Sequence, residues 1–262
     1  MTSLLCIRAG RTAVSVLLAC TVILTAGCSM GGAGLEKKPV RESGEAFLLA
    51  PNRNTHGTYQ QVRLDPADIP QAPIDNADFV RPEVREKYSP EQLAEVYQLG
   101  TNMMVEVGLD SPLNGDLTIF DEWWETIKHL VLDEAESEFY ETFKQEGVAF
   151  TAWQPWHPDY DSVIDYRYEP DKPRFSDVVI DSPRVWLAED GESVALQAKV
   201  RYVAHLQDKE KNEHFTQALR SEFTYEFALV HGRWLMNGYE VNPTVPVDGN
   251  GNEIQISKFA AG

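Results

Sequence analysis

Cysteine is scarce and confined in this chain: Cys6, Cys20 and Cys28 are its only thiols, so everything after residue 28 must fold without a disulfide. Such a chain is held by its core alone. No apolar run after Thr25 approaches the roughly 20 residues that cross a bilayer. Basic charge is also short, with 23 Lys and Arg against 41 Asp and Glu and a formal net charge of -18. A surface of that sign repels nucleic acid and anionic lipid headgroups, which makes both poor partners, and no nucleic acid is expected. The sequence also lacks a phosphate-cradling glycine loop, a zinc-spaced Cys/His set, a Gly-x-Ser-x-Gly elbow and an internal repeat.

What is present begins with a leader. Arg8 and Arg11, without any acidic residue, precede an apolar run from Thr12 to Thr25 and then small residues, the order of a secretory signal. The segment Leu24-Thr25-Ala26-Gly27-Cys28-Ser29 resembles the lipobox of bacterial lipoproteins, with Thr25 where leucine is usual and Leu24 one step further out. The resemblance implies cleavage after residue 27, acylation of Cys28 (a palmitate-type modification) and export to the cell envelope with a membrane anchor. Several acyl chains, each contributing about 0.8 kcal/mol per buried methylene, would hold firmly where one would not. Cleavage also removes two arginines, leaving 21 basic against 41 acidic side chains, a charge of -20.

The whole sequence has 43% hydrophobic residues and a mean hydropathy of -0.35, and the chain left after cleavage is long enough for one soluble domain. Residues 28-88 read as anchor and largely extended tether, with glycines at 31, 32 and 34 and then spaced prolines. Within them Ser29 to about Arg53 reads as free tether, and Thr58 to Tyr88 could lie as a strap on the domain. A helix starts at the capping signal Ser89-Pro90-Glu91-Gln92 and runs toward Gly108 with Leu93, Val96, Tyr97, Met103, Met104 and Val107 in helical phase. A second carries Phe120, Trp123, Trp124 and Ile127 on one face, and Asp133 to Glu136 opens a third. Beyond residue 147 the period changes to two. Strands are expected over Val178 to Leu187, broken at Ser182-Pro183, then Ser193 to Leu206, His214 to Val230 and Arg233 to Val241, the last two joined by the turn His231-Gly232. Helices followed by strands make an α+β fold: N-terminal helices with an antiparallel sheet spanning 89-242, curved if the resemblance given next holds, and a hairpin or tail over 243-262.

This element order, together with the hairpin from Glu226 to Tyr239, resembles the nuclear-transport-factor-2-like (cystatin-like cone) superfamily. The resemblance implies a cone-like sheet, often with a pocket, in either catalytic or accessory domains. Trp123, Trp124, Met103, Tyr202 and Phe227 are the candidates to line such a pocket, although stripes of this kind are what helices bury in a core. His129, Asp133, Asp165 and His205 are the nearest acid or base groups, and none matches a catalytic pattern.

No cofactor or metal is expected. His157, Asp159, Asp161 and Asp165 are explained by loop packing, and Asp248 to Glu253 lacks the sixth-position glycine of a calcium loop and reads as a turn. Two functions remain: a non-catalytic envelope module binding a protein partner or a small apolar ligand, and a small pocket enzyme of isomerase, cyclase or hydrolase type. A cavity beside Trp123 and Trp124 that receives a titratable group would favour the enzyme. An exposed apolar patch would favour a protein partner.

Overall fold

The computed structural model describes residues 7–8, 39–42, 45–64, 76, 78–114, 117–146, 164–249 and 251–253. Cys28 and its lipobox, the connector loop with His157, and the chain after residue 253 lie outside the described residues. Strands β1 (Ile7–Arg8), β2 (Pro39–Glu42), β3 (Glu45–Asn54) and β4 (Gly57–Leu64) come first, followed by helices α1 (Pro82–Lys87) and α2 (Pro90–Asn102). A π-helical stretch, Met103–Leu109, prolongs α2. Helices α3 (Phe120–Ile127) and α4 (Asp133–Glu146) follow, then β5 (Ile164–Tyr166), β6 (Phe175–Leu187), β7 (Val194–Asp208), β8 (Glu213–Val230) and β9 (Arg233–Pro246).

The main sheet is antiparallel and curled, ordered β1-β9-β8-β7-β5, with β6 sharing the β5 edge of β7. Alternation dictates it: Leu196, Ala198, Val200, Tyr202, Ala204 and Leu206 are buried on β7, and Leu219, Phe223, Tyr225 and Phe227 on β8. Pairing slips once across Ser182 and Pro183, where the sequence breaks the strand, and once between Ser176 and Val179, where Asp177 takes a φ of 52°. His231 and Gly232 both adopt positive φ, the turn geometry that suits a two-residue hairpin. The result is an α+β fold, as the element order requires.

Helices fill the concave face. Ser89 caps α2 with its hydroxyl accepting from the Gln92 amide, while the Gln92 side chain accepts from the Ser89 amide. Gly100 lets the helix press onto the sheet, since a Cβ there would stand 2.3 Å from Leu196 Cδ2. The α-helix does not continue to Gly108 as expected. From Met103 it widens, and the Asp110 amide donates to the Val105 carbonyl, five residues back, at 2.8 Å.

The larger difference lies upstream. Of the residues expected as tether up to Arg53, 39–42 and 45–53 form strands, which join β4 of the expected strap in a three-stranded sheet ordered β2-β3-β4, and Phe47, Tyr59, Val62 and Leu64 are buried. The alternation there is short and broken by Pro51, and its cover comes from residues 45 to 114 positions away, so local pattern alone does not reveal it. Segment 78–88 folds onto the domain, as a strap would: Val80 bridges Val185, and Val84 is fully buried in α1. Among the described residues no helix is long and apolar enough to cross a membrane.

Candidate ligand groove

The widened helix sets the site. Glu106 and Asp110, four apart on a π-helical turn, face the outer edge of β4. Asp110 Oδ2 accepts the Val62 amide at 2.7 Å, Glu106 accepts the Leu64 amide, and the Gln60 amide donates to the Lys172 carbonyl at 2.9 Å. The alternate outward amides of this edge strand are thus satisfied by two carboxylates and one carbonyl.

Asp110 is also paired with Arg174, whose Nη2 and Nε lie 2.6 and 3.0 Å from Oδ1, and neither side chain has any exposed surface. The guanidinium stacks 3.7 Å from the centre of the Tyr59 ring and lies near Tyr166, Tyr168 and Phe175. It also donates to the Ser111 carbonyl at 2.8 Å. Burial pushes the Asp110 carboxyl above its ordinary range, and Arg174 and the Val62 amide pull against that. Gln61 completes the clasp, donating to the Asp110 carbonyl at 2.8 Å while its own oxygen accepts from Asn52 and Arg63.

Between this hairpin and α3 runs an open groove of about 690 Å³. Val107, Trp123, Ile127 and Leu130 line it from the helical side, and Asn52, Arg53, Gln61 and Arg63 from β3 and β4. Glu106 also borders it. Burial raises its carboxyl above the ordinary value, against the opposing pull of Arg63 and the Leu64 amide.

Of the five expected pocket residues, only Trp123 reaches this groove. Trp124 packs among Phe120, Tyr140 and Phe143. Met103, Tyr202 and Phe227 are in the core between helix and sheet, with Tyr202 bonded to Ser221 Oγ at 3.0 Å. The groove wall on β3 was hidden by the tether expectation. The signal on β4 was the alternation of Gln61 and Arg63 with Val62 and Leu64.

The acid and base candidates are dispersed. His129 is exposed, and Asp133 opens α4. Asp165 is buried and engaged with its neighbour's Tyr166 amide at 2.8 Å, with Lys209, and with His56 at 3.8 Å. His205 is half-buried, with Nε2 2.9 Å from Ser176 Oγ. Burial lowers its proton affinity below the ordinary value, and Arg167 adds to this. That serine also donates toward Asp177 Oδ2 at 3.1 Å. A hydroxyl has one proton; given to Asp177, it leaves the imidazole as donor rather than base.

Among the described residues no group of three or more His, Cys, Asp or Glu could hold a metal ion. The acidic turn after β9 closes as a turn: Val247 bridges Glu253, and Asp248 Oδ1 accepts the Asn252 amide at 2.9 Å. Phe215 is the one large apolar side chain exposed among the described residues, which therefore form no broad apolar patch. No family model matches the chain, and no curated protein or solved structure matches it.

Proposed function

We propose that this protein is an exported lipoprotein, held to the membrane by acyl chains on Cys28, whose cone-like α+β domain is a non-catalytic binding module of the cell envelope. The anchor rests on the leader residues from Arg8 to Ser29. Kinship with the nuclear-transport-factor-2-like superfamily rests on element order and on the hairpin closed by His231 and Gly232. The observation that carries binding is the groove between β3–β4 and α3, whose apolar floor is open while the carboxylates beside it are tied to the β4 edge. A small ligand with an apolar body suits it better than a flat protein partner, since the described surface presents a single large apolar side chain.

The test is metabolic labelling with an alkyne fatty acid, followed by fractionation. The label should enter the membrane-bound protein and vanish with Cys28→Ser; an unlabelled protein, or one retaining its leader, would overturn the anchor. Mild crosslinking of the same membranes identifies any protein that shares the site.

A further inference from the structure

The hydrogen-bonding capacity left over in the groove is unevenly distributed. Asn52 donates to Gln61 and accepts the Arg53 amide; Asn54 is engaged with Pro112 and accepts the His56 amide; Gln61 is saturated. Among the described residues Arg63 gives only its Nε, to Gln61 at 2.9 Å, and the Arg53 guanidinium has no partner. The donors that remain on the hairpin wall are therefore guanidinium groups, on a chain of net charge -18. Across from them the helical side offers hydrocarbon: Val107, Trp123 and Ile127 are buried and line the same space.

A ligand matching both halves has an alkyl body and one anionic head. We propose that the groove binds a single-chain fatty carboxylate, with its head at Arg53 and Arg63 and its chain along Val107, Trp123 and Ile127. This deepens the binding-module reading and rests on it. Guanidinium is suited to the role because its planar fork meets a carboxylate with two parallel hydrogen bonds. The head lies on the hairpin wall because Glu122, exposed on α3, repels it from the opposite one. Glu106 draws on Arg63 but already accepts the Leu64 amide, so Arg53 supplies the unshared charge. A volume of about 690 Å³ falls within the range of small-molecule sites.

Titration of the full chain carrying Cys28→Ser, which removes its own acylation, with palmitate and with hexadecanol separates the possibilities. Palmitate should bind at least tenfold tighter than hexadecanol, and the Arg53→Gln, Arg63→Gln double variant should erase that preference. Should the double variant fail to fold, Arg53→Gln alone should remove most of it, since that guanidinium has no partner among the described residues. Equal binding of alcohol and acid, no binding of either, or palmitate affinity unchanged in the Arg53→Gln, Arg63→Gln double variant would overturn the proposal. Binding of an acidic peptide in place of palmitate would also overturn it. Labelling at Cys28 and a crosslinked partner are read separately, so the lipoprotein module can stand when the fatty carboxylate falls.

Discussion

Asp110 and Arg174 stand 64 positions apart in the sequence and meet as an ion pair from which water is excluded, with Arg174 Nη2 2.6 Å from Asp110 Oδ1. Through the Val62 amide and the Tyr59 ring the pair clasps β4 to the widened helix and to the chain entering β6. Removing one partner strands the other charge in a dry environment. Asp110→Asn and Arg174→Met should each destabilise the fold by about 3–5 kcal/mol, whereas the double replacement Asp110→Leu, Arg174→Met should lose much less. Denaturant midpoints of the three variants check this.

Gly100 is fixed by proximity rather than by turn geometry. Gly100→Ala drives a methyl into Leu196 and should cost about 1–3 kcal/mol, with Leu196→Ala in the same chain giving a smaller loss than the two single changes added together. Thermal melts of the four chains complete the double-mutant cycle.

If β3 and β4 belong to the folded unit, their apolar residues stabilise it as core residues do. Phe47→Ala should cost about 3–5 kcal/mol. Hydrogen exchange of the Val62 amide should be slow in the parent and fast in this variant; an unchanged melting curve would return the segment to a tether.

His205 gives a pH dependence. Its folded pKa lies below the ordinary 6.5 because burial disfavours the imidazolium. Its contribution is therefore complete above pH 6.5 and is lost as the pH falls from there toward the folded pKa, since the unfolded chain takes up the proton first. His205→Gln should flatten the stability profile below pH 6.5, and urea titrations at stepped pH values would reveal it.

The sheet was legible because β7 and β8 carry their own evidence: apolar residues alternate from Leu196 to Leu206 on β7 and from Phe223 to Leu229 on β8, and His231-Gly232 names its turn. Ser89 and Gln92 marked a helix start in the same local way. The groove was not legible, because its walls come from elements whose partners are remote. Val62 and Leu64 mark a strap, but nothing local shows that Asp110 and Glu106 bond its outward amides. Trp123 and Trp124 are adjacent and chemically alike, and only the packing of α4, through Tyr140 and Phe143, decides that Trp124 is enclosed while Trp123 meets the groove.

The amides of Gln60, Val62 and Leu64 that point away from β3 are all occupied, two of them by carboxylates. A strand border spent in this way offers an incoming chain no free donors to template on and meets it with negative charge. The β4 border of the small sheet is thereby insulated against edge-to-edge growth.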